Sequence, residues 1–209
     1  MPTEYGLPGY VAGRSVTPRE ISAGGGPLEL KPGGIILGST AIDGGNTGYT
    51  YEIRAGWALG RISATGKYVP CKRTTTTSSG AVTSLVVVNS YPFKVGDAID
   101  IGADTNITIT AIDYTTHTLT IASTTVASGE AVVGRDGSQT CRGFLAGTRD
   151  VYDTETATAV DAQAKLVEGG RLLLSQLLGD ITAIMADTTS AAQIRARTII
   201  YDDTNGVNL

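Results

Sequence analysis

The chain has a single histidine, His117, and two cysteines, Cys71 and Cys141, among 209 residues. One imidazole excludes most histidine-based metal sites. It sits in a loop-like stretch, and a catalytic base needs an orienting partner that nothing nearby supplies. The cysteines lie far apart and form no C-x-x-C pair, which argues against zinc and thioredoxin-type chemistry. They read as two small buried hydrophobes. No G-x-S-x-G, H-E-x-x-H or Walker pattern occurs. Charged residues are scarce at 17%, below the roughly 25% of ordinary soluble domains. The formal net charge is −4 and the sequence shows no basic cluster, so a nucleic-acid partner is not expected. No apolar run reaches the roughly 18 residues of a membrane helix. The opening MPTEYGLPGYVAGR has no basic stretch leading into an apolar one, so no secretory signal is expected. Neither a cofactor nor enzymatic activity is expected.

Glycine, by contrast, is abundant at 27 residues, and with Ser, Thr and Ala it favours short strands and tight turns. Residues 1–34 carry five prolines and the run Gly24-Gly25-Gly26, with neither helical nor strand periodicity. They also carry Tyr5, Leu7, Tyr10, Val11 and Ile21, more apolar side chains than a solvated linker needs. The segment reads either as a disordered tail or as an arm that orders on a partner, with those five residues as its anchors.

Strands begin at Ile35. Tyr49, Tyr51 and Ile53 alternate with polar residues, Thr65-Gly66 is a turn, and Tyr68-Val69 opens another strand. Residues 74–133 change texture after a Thr/Ser-rich hinge. Leu85–Val88 reads as a fully buried strand, Ile99 and Ile101 as one strand, and Ile107, Ile109 and Ile112 as the next. Asp113–His117 reads as a hairpin loop, Leu119 and Ile121 as its return, and Val126–Val133 as a last strand. From residue 134 the first texture resumes. Cys141–Leu145 is a strand and Ala157–Ala162 another. The spacing of Leu173, Leu177, Ile181 and Met185 predicts a helix over 170–186. Ser190 caps a shorter helix to about Arg197, and Thr198–Tyr201 is a final strand. The reading is a β-rich α+β protein: an arm (1–34), a split core (35–73 and 134–209), and an inserted all-β barrel or sandwich (74–133).

The acidic groups Asp97 and Asp100, Asp150, Asp153 and Glu155, and Asp202-Asp203 lack the spacing of a calcium loop and read as solvated carboxylates. Tyr91, Tyr114 and His117 fall near loops of the insert, where they motivate a display surface. Arg54 and Arg61 flank Trp57, the only tryptophan. Arg and Trp are enriched at interface centres, although one core Trp with a polar rim fits equally.

The stretch Arg54-Ala-Gly-Trp-Ala-Leu-Gly-Arg-Ile-Ser-Ala-Thr-Gly-Lys-Tyr-Val-Pro70 resembles a Gly-x-x-Leu-Gly strand and Thr-Gly-Lys-Tyr turn of phage head decoration proteins of the lambda type. Asp136-Gly-Ser-Gln-Thr-Cys-Arg-Gly-Phe-Leu145 is similar to that family's second signature, a turn entering a Gly-x-Leu strand. The likeness covers roughly 45–73 and 134–209. It departs from the family at 74–133, where a short link is usual. The resemblance implies a homotrimer on the outer surface of a virion, at three-fold positions, whose arms order against the major capsid protein and cement it. An alternative is a phage tail or fibre-associated β-module, or a carbohydrate-binding display protein.

Overall fold

A computed structural model describes residues 20–23, 27–203 and 205–208. The chain enters through β1 (Glu29–Leu30), β2 (Ile35–Leu37) and β3 (Glu52–Ile53), then forms β4 (Ala58–Arg61), β5 (Tyr68–Pro70) and β6 (Arg73–Thr75). The middle stretch is β7 (Gly80–Val86), β8 (Ala98–Ile101), β9 (Asp104–Thr108), β10 (Ala111–Asp113), β11 (Thr118–Val126) and β12 (Ala131–Gly134). The return begins with β13 (Cys141–Leu145), β14 (Arg149–Asp150), β15 (Tyr152–Asp153), β16 (Thr158–Ala159) and β17 (Ala162–Ala164). It ends with β18 (Leu166–Leu173), α1 (Ile181–Ala186), α2 (Thr188–Arg195), β19 (Thr198–Asp202) and β20 (Val207–Asn208). Strand accounts for 45% and helix for 10%, a β-rich α+β protein. No helix among the described residues is long and apolar enough to cross a membrane.

The largest sheet runs β17-β2-β5-β4-β13-β18-β19-β20, with β1 also paired to β18. Successive side chains of a strand point to opposite faces, and here both faces are covered. Ala58, Phe144 and Val167 belong to one core with Ile181, Ile184 and Ile194 of the two helices. Their neighbours Leu59, Leu145 and Leu166 belong to a second core, closed by Ala41, Ile53, Trp57 and Val151. Each such side chain taken fully out of water contributes roughly 1.5–3 kcal/mol. Close approach makes the sheet glycine-dependent. A Cβ on Gly60 would collide with the backbone carbonyl of Ser138, so only glycine lets β4 and the 136–139 turn meet.

A third core is built from Leu85, Val87, Phe93, Ile99, Ile101, Ile109, Leu119, Ile121, Val126 and Val132 and shares no residue with the other two. Two sheets enclose it, one of order β10-β11-β7 and one of order β6-β12-β8-β9.

Several local expectations are corrected. The helix foreseen over 170–186 is α-helical only at Ile181–Ala186, with a single 3-10 turn at Leu174–Gln176. Leu166–Leu173 is a strand, held antiparallel to β13 and parallel to β19. Gly170 and Gly179 both take φ of +114°, which no α-helix accommodates, and strand pairing overrides the leucine spacing. Leu85–Val88 alternates, with Leu85 and Val87 buried and Val86 and Val88 exposed. Ile107 and Ile112 lie on two strands, β9 and β10, and residues 127–130 form a turn between β11 and β12. Tyr49 and Tyr51 precede the two-residue β3 rather than forming one strand with Ile53. The second helix begins at Thr188, capped by Asp187, whose carboxylate accepts from Ser190 N. Of the arm, the described part lies on the body. The Leu173 N–H donates to Ile21 O, Ser22 bridges Leu172, and β1 pairs with β18.

Candidate functional site

Among the described residues no group of three or more His, Cys, Asp or Glu side chains is arranged to hold a metal ion. His117 has φ of +53° at its hairpin. Its Nδ1 accepts from Ser90 N at 3.3 Å and lies 3.0 Å from Ser90 Oγ. The ring packs edge-on against Tyr91 at 4.6 Å. Cys71 and Cys141 are free thiols buried in the same core. Burial pushes the Cys141 thiol up to about 12, and burial likewise drives Cys71 well above its ordinary value. The thiolate is the reactive form. At pH 8 the native protein is therefore expected to leave both thiols unmodified by a thiol-reactive disulfide reagent over minutes, with two titrating per chain after denaturation without reductant. Fewer than two would reveal a disulfide.

The residues read as a display surface form a seam instead. Tyr91 and Tyr114 lie 6.4 Å apart and rest on the Gly44-Gly45 backbone, where a Cβ would strike their rings. Gly44 N donates to Tyr91 O at 3.0 Å, and Tyr114 Oη donates to Phe93 O at 2.7 Å. Desolvation raises the Tyr114 phenol to about 12. Beside this seam Lys72 Nζ reaches Asp97 at 2.8 Å and Asp136 at 2.9 Å. Lys72 and Asp97 are almost wholly buried. Nearby, the buried Asp180 accepts from Thr74 Oγ1, Thr75 N and Ala183 N, and Asp187 pairs with Arg73 at 3.1 Å. The middle stretch is thus tied to the sheet at both crossings by charges that the sequence scatters over more than a hundred positions.

The trio Arg54, Trp57 and Arg61 does not come together as an interface. Trp57 is 0% exposed, which removes it from any surface. Apolar packing against Ile53, Leu59 and Val151 claims the indole. Arg54 turns inward to the fully buried Asp43 through two bonds, Nε to Oδ2 at 2.6 Å and Nη2 to Oδ1 at 2.8 Å. Arg61 alone is exposed, with Nε donating to Gly66 O. Ile21, read as an arm anchor, is 2% exposed within the protein's own core, so it offers no side chain to a partner. Tyr5, Leu7, Tyr10 and Val11 lie outside the described residues.

Two features at the surface are not announced by the sequence. Tyr51 and Tyr152 stack at 4.8 Å, with Tyr49 edge-on to both. Tyr49 Oη donates to the Asp150 carboxylate at 2.8 Å. The other is a groove of three adjoining hollows, of about 530, 510 and 720 Å³, which all include Lys31. The first holds Arg149 and Lys165, the second Arg61, Arg142 and Arg197, and the third Lys67. These cations come from separate strands and loops, so no basic run announces them in the sequence.

Searches among protein-family models, curated proteins and solved structures found no match to this chain.

Proposed function

We propose that the chain is a capsid decoration protein of the lambda type. It binds the outer surface of a phage head at three-fold positions as a homotrimer and cements neighbouring major capsid proteins. One observation carries this reading. The two stretches that resemble the family, 54–70 and 136–145, are separated by most of the middle sequence, yet their strands β4 and β13 pair directly, Cys141 with Gly60 and Phe144 with Ala58. A likeness spread over two distant segments gains weight when one sheet needs both. In this reading the stretch 74–133, with its separate core, is an inserted β-domain facing away from the head. The attaching element is the part of the arm before Glu20, because the later part is committed to β18.

The test is occupancy on purified heads. Deleting residues 1–19 leaves Ile21 and β1 in place and is expected to reduce bound copies at least tenfold. Undiminished occupancy would reject the arm as the attachment. A second reading, a tail-associated or glycan-displaying module, is favoured by the cluster of the exposed Tyr51 with the half-buried Tyr49 and Tyr152, since aromatic faces joined to a carboxylate suit sugar contacts. Immunogold label on tails rather than heads would select it.

A further inference from the structure

We infer that the groove running past Lys31 binds an extended acidic polypeptide segment. The inference does not rest on the capsid reading and holds for any partner of that chemistry.

The charge balance points there first. The chain is net negative, yet among the described residues seven cations line the three hollows against only two carboxylates, Glu168 and Asp161. Both carboxylates are already matched, Glu168 by Lys31 at 2.9 Å and Asp161 by Lys67 at 2.6 Å. Arg142, Arg197 and Lys165 are exposed, and their side chains have no hydrogen-bond or ion-pair partner among the described residues. Cations of like sign crowded around one concavity repel each other, and an anion relieves that repulsion.

Shape selects among anions. A single oxyanion would need one hollow, whereas three adjoin along the chain segment from Leu30 to Ile36. The Lys31–Glu168 pair shows the groove already receiving a carboxylate. Guanidinium groups such as those of Arg61, Arg142 and Arg197 fork onto carboxylates through paired N–H donors. Leu30 and Ile36 are unusually exposed for apolar side chains and give a peptide's methylenes a surface to lie on. Single-stranded nucleic acid binds grooves that carry aromatic stacking platforms. Among the described residues the one lining aromatic, Tyr68, is only 9% exposed, which favours a polypeptide.

Fluorescence anisotropy of a fluorescein-labelled hexaglutamate against the full chain tests this. Binding is expected, weakening at least tenfold between 50 and about 300 mM salt as screening tightens. The double variant Arg142→Gln/Arg197→Gln is expected to weaken it at least tenfold with an unchanged melting temperature, since both side chains are exposed. A second pair, Arg149→Gln/Lys165→Gln, is expected to weaken hexaglutamate but not diglutamate, which spans one hollow only. No hexaglutamate binding, binding indifferent to both variants, or equal effects on the two peptides would overturn the proposal. So would tighter binding of an oligothymidylate of equal charge, or full competition by equimolar inorganic phosphate.

Discussion

Replacing Lys72 with methionine is expected to destabilise the protein by about 3–5 kcal/mol, the usual cost of removing one partner from a buried ion pair. For a chain of this size that corresponds to a fall in melting temperature of roughly 6–20 °C. The cause is the residue left behind. Asp97, only 9% exposed, would keep the Lys94 N–H as a donor but lose its cation. Asp136 would keep its bonds from Ser138 N and Oγ and lose the same charge. Adding Asp97→Asn to Lys72→Met is expected to restore part of the loss, because the buried charge goes with its partner. Denaturant unfolding of the two variants measures this. A loss below about 1 kcal/mol for Lys72→Met, the size of an exposed pair, would mean that water reaches the site. The pair also sets an acid limit. Burial alone would raise the Asp136 carboxyl, but the Lys72 charge and the Ser138 bonds outweigh it and hold it below its ordinary 3.8. A carboxyl lowered in the folded state stabilises at pH above the unfolded value. That contribution is expected to be complete above pH of about 4 and to fade as the pH falls through the lowered folded-state value.

Replacing Trp57 with alanine is expected to cost about 3–5 kcal/mol, the range for emptying a large aromatic site in a packed core. Trp57 is fully buried beside Ile53, Leu59, Leu145 and Val151. Its backbone bond, Leu145 N to Trp57 O at 2.9 Å, survives the change, so the loss reports the side chain and not the strand pairing. Phenylalanine is expected to cost less than about 1.5 kcal/mol. The indole Nε1 is buried without a hydrogen-bond acceptor, and removing an unsatisfied donor recovers part of the lost volume term. Chemical denaturation followed by far-ultraviolet circular dichroism measures both, since neither variant keeps the tryptophan fluorophore. If phenylalanine costs as much as alanine, the shape of the indole rather than its volume holds this core together.

Patterns that depend on near neighbours in sequence were legible without coordinates. The strand Cys141–Leu145, with Phe144 and Leu145, and the turn at Thr65-Gly66 follow from apolar and glycine chemistry within a few residues. So do the Asp113–His117 hairpin and the strand opening at Thr198. The alternation of Leu119 and Ile121 fixed their inward face. The Thr/Ser-rich stretch read as a hinge begins inside β6 (Arg73–Thr75), where Thr74 is fully buried, a placement that its composition does not announce. The helix over 170–186 failed because leucines spaced by four satisfy a helix face and a partly buried strand alike. Only the neighbouring strands β13 and β19 decide between them.

The interaction surfaces were not legible, for a different reason. Trp57 carries the same interface propensity whether it faces water or Val151, and sequence does not say which side of the sheet is covered. Tyr91 and Tyr114 look like loop aromatics until the Gly44-Gly45 backbone is seen beneath them. The cations of the groove are spaced from Lys31 to Arg197, so their shared field exists only after folding. Local chemistry therefore dictated the β-rich class and many of the turns, because a residue's backbone preference is settled by itself and its neighbours. Tertiary packing alone decided which aromatic is core, which lysine is buried and where positive charge collects. Burial and electrostatic potential are sums over atoms brought together from everywhere in the chain.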